Sequence, residues 1–349
     1  MTLAGARGFA VTLAVSGAGV AVFKLVALPL PWLLGPMFAC LVAALGGVRL
    51  GGAGRVTEGM RTILGVAVGA AITPAVVAQL DEMAMSIALL PLFILAMGGL
   101  GYPYFRRVWG YDGATSYYAS MPGGLQDMLV FGEEAGANPR ILSLIHATRV
   151  LAVVSFLPVI LIVVLDRDLD APPGAAASTV PAVELALMVA IAIVGWQGAR
   201  RIGLFGATIL GPMILATAAS LTDILHHRPP AEAIIAAQFF IGLGVGTKYS
   251  GITLGELRSV VGAALGQVVM LVLITLVFVE IVVQAGLAPP VEAILAFAPG
   301  GQGEMAVLAL VAGADVAFVV THHLVRLVIV IAGAPLMRHW LGWDRDPAD

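Results

Sequence analysis

Met121-Pro122-Gly123-Gly124-Leu125-Gln126-Asp127-Met128 is a helix breaker set inside a largely apolar chain, and the chain carries it twice. The second copy reads Ala298-Pro299-Gly300-Gly301-Gln302-Gly303-Glu304-Met305, offset by 177 residues (122 to 299). Proline removes a backbone donor, and the paired glycines permit dihedrals that other residues resist. Each copy therefore predicts an interruption between two short helices. Each flank is about 10–13 residues, roughly 15–20 Å of helix or half a membrane.

Outward from the breaks, further motifs pair off in the same order. His146 and Arg149 match His323 and Arg326, again at 177 (146 to 323). Leu64-Gly65-Val66-Ala67-Val68-Gly69 resembles Ile241-Gly242-Leu243-Gly244-Val245-Gly246 at 177 (65 to 242), and Leu34-Gly35-Pro36-Met37 recurs as Leu210-Gly211-Pro212-Met213 at 176 (36 to 212). Four ordered matches at nearly one spacing predict an internal duplication. The first membrane repeat is 1–165 and the second 182–340, with a charged, then Pro-, Gly- and Ala-rich linker at 166–181 and a polar tail at 341–349.

The surrounding composition calls for lipid. Of 349 residues, 60% are hydrophobic and 11% charged, with mean hydropathy +1.01. A soluble domain is about a quarter charged; this chain could not cover its apolar surface in water, so the bilayer is its expected partner. Net charge is -3 and no basic run marks a nucleic-acid surface. The single cysteine, Cys40, excludes a disulfide framework and a Cys-based metal site. Met1 to Arg7 leads straight into apolar sequence and reads as the start of an uncleaved first span.

Apolar segments predict helices near 8–27, 32–49, 57–79, 83–104 and 141–165, then near 183–199, 204–222, 233–250, 260–284 and 316–336. By the positive-inside rule Arg49, Arg55, Arg61, Arg106 and Arg107 lie inside, and Asp166, Asp168 and Asp170 outside. One full span between Arg107 and Asp166 then requires the broken segment to fold back as a hairpin, and the second half to be inverted. Arg200, Arg201, Lys248 and the C-terminal Arg338, His339 and Arg345 fall inside; Lys24 and Arg228 fit this scheme badly. The expected fold is an all-α integral membrane protein of two inverted-topology repeats, ten spans plus two re-entrant pairs. It sits in a bacterial-type inner membrane with both termini cytoplasmic.

Inverted repeats with interrupted helices are a mark of secondary transporters, and irregular backbone at membrane depth occurs where it is buried in protein or lines a cavity. Gly123, Gly124, Gly300 and Gly301 are thus candidate backbone contacts for a solute. Asp127 and Glu304 stand on the first turn of each following half-helix. There a carboxylate either caps the helix or, as an ionisable group inside a membrane, binds a cation or carries a proton. Gln126 and Gln302 are candidate polar contacts, one step out of register with each other. His146 with Arg149, and His323 with Arg326, each share a helix face. Each arginine either pairs the carboxylate of its own break or clamps an anion beside a titrating imidazole. His322 has no counterpart in the first half, where Ile145 stands.

The duplicated Leu-Gly-Pro-Met, the Pro-Gly-Gly break with its following acid, and the His-x-x-Arg helix together resemble the membrane AbrB family, over nearly the whole chain. Members carry the labels "AbrB family transcriptional regulator" and "ammonia monooxygenase". The family is similar to the cation/proton antiporter and anion transporter folds. Gly300-Gly301-Gln302-Gly303 is like the Gly-Gly-x-Gly hairpins of citrate-type symporters, from which Gly123-Gly124-Leu125-Gln126 departs. A transcription factor needs a soluble DNA-contacting surface, and a monooxygenase a copper or iron site; the six histidines show no ligand pattern for one. The expectation is a transporter of a small polar solute driven by H+ or Na+, with no cofactor, no metal and no enzymatic activity. A homo-oligomer is compatible with such a chain. The alternative from another class is a membrane sensor acting indirectly on gene expression.

Overall fold

The computed structural model describes residues 3–340 apart from 75, 76, 78, 79, 124, 170, 171 and 205, and among these there is helix and irregular chain but no strand. The helices are α1 (Leu3–Leu25), α2 (Pro31–Leu45), α3 (Arg55–Gly69), α4 (Leu80–Ala88), α5 (Leu90–Pro103), α6 (Gly113–Ser120), α7 (Leu125–Glu134) and α8 (Pro139–Val163). They continue as α9 (Ala182–Arg201), α10 (Ala207–Leu221), α11 (Ala231–Gly246), α12 (Gly262–Gln284), α13 (Pro290–Phe297), α14 (Gln302–Val311) and α15 (Val316–Trp340).

Five helical stretches among the described residues are long and apolar enough to cross a membrane: Arg7–Leu25, Met83–Val108, Pro139–Val163, Ala182–Arg201 and Leu254–Gln284. The sequence predicts ten. Helices α2, α3 and α10 have 15 residues and α11 has 16, about 22–24 Å against a hydrocarbon core of roughly 30 Å. Local chemistry shortens them. Helix α2 stops at Gly46, and Gly47 takes a positive φ of 81°, a common way to end a helix. Helix α3 stops at Gly69, before Thr73-Pro74, where a residue preceding proline resists helical dihedrals. The single helix expected near 83–104 is divided into α4 and α5, because Pro91 cannot donate to the carbonyl of Ile87.

The chain forms two compact units, each drawing on both halves of the sequence. The first comprises Met1–Asp81, Val154–Ile252 and Gly303–Val319. Glycines bring its helix backbones together. A methyl on Gly19 of α1 would overlap the Gly35 carbonyl of α2, and one on Gly211 of α10 would overlap that of Gly195 of α9. The Gly-Pro-Met motif is thus where helices touch. Helix α3 in turn lies on α10, with Gly65 against the Ile209 carbonyl, and α11 lies on α2, with Gly242 against the Leu33 carbonyl. The third helix of each half packs on the second helix of the other.

The second unit comprises Glu82–Val153, Thr253–Gln302 and Val320–Asp349. Phe93 of α5 meets Phe278 of α12 and Phe297 of α13 edge-on, at centroid distances of 5.1 and 5.3 Å. Such contacts contribute beyond the area they bury. Helix α5 runs into a π-helical turn at Tyr104–Val108, and the Tyr104 hydroxyl donates to the Ala263 carbonyl of α12 at 3.0 Å. Asp112 caps α6, accepting from the Thr115 N–H at 2.7 Å. Asn138 precedes α8 and accepts from the N–H groups of Arg140 and Ile141 at 3.0 and 3.1 Å.

Candidate functional site

Helix α6 stops at Ser120 and α7 begins at Leu125; α13 stops at Phe297 and α14 begins at Gln302. The residues between are extended, Met121 at φ -75°, ψ 137° and Ala298 at φ -57°, ψ 135°. Met121, Pro122, Gly123, Ala298, Pro299 and Gly300 are buried. Stopping a helix leaves its last carbonyls without N–H partners, and burial withholds water. Side chains take over. In the first break, the Tyr117 carbonyl accepts from Ser120 Oγ at 2.7 Å, Tyr118 from His146 Nε2 at 3.1 Å and Ala119 from Gln267 Nε2 at 2.9 Å. Arg149 reaches two carbonyls, Met121 through Nη1 at 3.0 Å and Gly123 through Nη2 at 2.8 Å.

The second break is held in the same way. His323 Nε2 donates to the Leu295 carbonyl at 2.8 Å, Arg326 Nη1 to Ala298 at 2.8 Å and Arg326 Nη2 to Gly300 at 3.1 Å. Thr275 Oγ1 donates to the Phe297 carbonyl at 3.3 Å. These three bonds of the first break, from His146 and Arg149, have counterparts 177 residues on (118 to 295, 121 to 298, 123 to 300). Each His-x-x-Arg pair therefore clasps the broken backbone of its own half.

The imidazoles have defined protonation at one nitrogen. A carbonyl can only accept, so Nε2 of His146 and of His323 carries the proton. His323 Nδ1 accepts from Arg326 Nη2 at 2.7 Å, which makes that ring neutral. His146 Nδ1 is buried and has no hydrogen-bond partner. Next to His323, His322 Nε2 meets Ser86 Oγ at 2.9 Å; Ser86 donates to the Met83 carbonyl, so it accepts from His322. The His322 ring lies 5.8 Å from that of Phe297.

Arg326 differs from the acid-paired arginine that its sequence position suggests. Its partners are two carbonyls and a neutral imidazole. A broken helix end offers several buried acceptors at once, and the guanidinium fork fits two of them. Glu304, 6% exposed, forms no ion pair or hydrogen bond among the described residues. Gln302 Nε2 is buried without a partner. A side chain at Gly123 would run into Met128. Gly124 and the side chains of Gln126 and Asp127 lie outside the described residues. No group of three metal-ligating side chains gathers among the described residues.

Gln267, Thr275, Ser120 and Ser86 are absent from the sequence-derived site, yet the first three donate to carbonyls of the same helix ends and Ser86 accepts from His322. Gln267 is fully buried in an apolar helix. That position was the available signal, since a lone amide in a span needs a partner.

A family model described as "Transition state regulatory protein AbrB" matches residues 32–342. The chain is 27% identical over 365 residues to YhjN of Bacillus subtilis (strain 168), covering 96% of this chain and 94% of that protein. It is 23% identical over 330 residues to "Putative regulator AbrB" of Escherichia coli (strain K12), covering 91% of this chain and 92% of that protein. No solved structure matches.

Proposed function

The chain belongs to the AbrB family, and we propose that within it this protein is a secondary transporter of a small polar solute, driven by a proton or sodium gradient. One observation carries the reading. Two buried helix interruptions, 177 residues apart (122 to 299), keep backbone and half-helix ends in an apolar interior, each held open by side chains of a neighbouring long helix, α8 or α15. A protein with only a structural need would keep continuous helices there, since intrahelical bonds satisfy the backbone without help. Broken helices near the midplane are the usual solute and ion sites of inverted-repeat transporters.

In this reading the two halves are inverted repeats and the broken segments re-entrant hairpins, in an inner membrane with both termini cytoplasmic. Glycines 123, 124, 300 and 301 offer backbone contacts. Asp127 and Glu304 are the coupling groups; that Glu304 has no ion pair or hydrogen bond among the described residues supports that role over a cap. The name of the Escherichia coli relative and the family's description instead suggest a regulator. For a membrane chain this would be a sensor that binds a solute without moving it.

Reconstitution in liposomes with an internal pH dye separates the two. Solute-dependent proton movement or sodium-driven uptake, lost in Glu304→Gln and Asp127→Asn, is the expected result. Saturable binding with no flux for any solute, by folded protein, would favour the sensor. Cysteine labelling at Glu134 and Asp170 tests the topology: reaction from the same face would sink the hairpins.

A further inference from the structure

Two π-helical turns occur among the described residues, Tyr104–Val108 after α5 and Leu257–Val261 before α12, and both carry arginine. Such turns are rare and frequently mark functional positions. The two adjoin. The Tyr104 hydroxyl donates to the Ala263 carbonyl at 3.0 Å, and a methyl on Gly262 would stand 3.6 Å from the Trp109 ring. Arg106 and Arg107 therefore share one edge of the second unit with Arg258, four residues before Gly262. All three are exposed. Arg106 is held in place, its Nη1 donating to the Tyr111 carbonyl at 2.8 Å while the Tyr111 ring stacks on Phe105. None of the three forms an ion pair among the described residues. The acids nearest along the chain are engaged elsewhere. Asp112 accepts from the Thr115 N–H at 2.7 Å, and Glu256 accepts from Arg140 and from the Thr253 N–H, both at 2.8 Å.

The arginines stand at the rim of an apolar surface. Met83–Val108 and Leu254–Gln284 are both apolar enough to cross a membrane, and this edge is where the first ends and the second begins. Val108 and Leu254 are exposed beside the arginines, and Leu100 and Leu265 are exposed deeper in the two stretches. Cations above exposed apolar side chains fit a ligand that is anionic at one end and acyl at the other. A soluble anion would leave the leucines and Val108 uncovered, and a zwitterionic headgroup would bring an ammonium to the arginines along with its phosphate. We propose that the paired π-turns form a binding site for an anionic phospholipid, its phosphate received by Arg106, Arg107 and Arg258 and its chains lying on α5 and α12. Guanidinium forks match phosphate oxygens, and basic clusters at the ends of membrane helices attract anionic headgroups. The π-turns bring the cations of two spans to one headgroup, which a lone basic helix end does not. The site is independent of the transport reading.

The test is a titration of the purified protein in non-ionic detergent with phosphatidylglycerol, phosphatidylcholine and soluble glycerol 3-phosphate, read by native mass spectrometry and by unfolding temperature. Saturable phosphatidylglycerol binding with a rise in unfolding temperature is expected, and neither for the other two. The triple variant Arg106→Gln, Arg107→Gln, Arg258→Gln should weaken that binding at least tenfold. The control variant Arg200→Gln, Arg201→Gln removes two exposed arginines from the end of α9, where there is no π-turn, and should stay within twofold of wild type. Should the triple variant fail to fold, the double variant Arg107→Gln, Arg258→Gln, which breaks no hydrogen bond among the described residues, decides in its place. Equal binding of phosphatidylcholine would overturn the inference, as would no saturable phosphatidylglycerol binding or binding untouched by the variants. A response to glycerol 3-phosphate equal to that of the lipid would assign the arginines to a soluble phosphate ester instead. An equal loss in the Arg200, Arg201 control would reduce the effect to the general attraction of basic helix ends, and the site would fall.

Discussion

The first and second breaks use one device with different finish. In both, a His-x-x-Arg pair on the long helix after the second half-helix (α8 or α15) donates to three carbonyls of the interrupted chain. In the second, the two side chains also bind each other, through Arg326 Nη2 and His323 Nδ1, and His322 adds a link to Ser86. In the first, His146 Nδ1 is buried and without a partner, Ile145 stands in place of His322, and Gln267 brings an extra donor from α12. The contrast separates scaffold from chemistry. The shared bonds are those a broken buried helix requires; the unshared ones are where the two breaks differ.

Perturbing the shared bonds should have the largest effect. Arg149→Leu and Arg326→Leu each leave two buried carbonyls without donors, at about 1–3 kcal/mol apiece. Both should lose roughly 2–6 kcal/mol, seen as a fall in unfolding temperature and in yield of monodisperse protein. If either variant were as stable as wild type, the clasp would not be what holds that break. Gly65→Ala and Gly242→Ala test the exchanged helix packing. Each sets a methyl against a facing backbone carbonyl and should cost about 1–3 kcal/mol, by similar amounts in the two halves.

The histidines sharpen the comparison. His323→Phe removes two hydrogen bonds and His146→Phe one. At about 1 kcal/mol per bond, thermal unfolding should show the His323 variant as the less stable by roughly that amount. Equal losses would mean that the Arg326–His323 bond contributes nothing. Glu304→Gln removes no hydrogen bond or ion pair among the described residues, so its unfolding temperature should stay near wild type while coupled flux is lost. A large fall in stability would reassign Glu304 to structure. The smallest effect belongs to Arg140, on the same helix as Arg149. Its bond to Glu256 at 2.8 Å is partly exposed, 38% and 26% for the two side chains. Arg140→Ala should cost under about 1 kcal/mol.

Much of this was legible along the chain. Composition marked an all-helical membrane type, and the Pro-Gly-Gly copies marked where helices stop, because proline and glycine act on the backbone they belong to. The motifs that resemble the AbrB family lie within the stretch that the family model matches. Helix lengths were harder to read. Apolar residues continue past Gly69, as Ala70, Ala71 and Ile72, so hydropathy alone extended α3 beyond the point where Thr73-Pro74 ends it.

The sequence by itself determined that His146, Arg149, His323 and Arg326 form matched pairs on helix faces, since a spacing of three is a local property. Only the tertiary structure decided what each pair reaches. A guanidinium in an apolar interior takes whichever acceptors are brought to it, and carbonyls 26 and 28 residues away along the chain were closer at hand than the acid that spacing suggested for Arg326. Gln267 makes the same point: it meets Ala119 from 148 residues away. A buried helix end must find donors, but which side chains supply them depends on how distant helices pack.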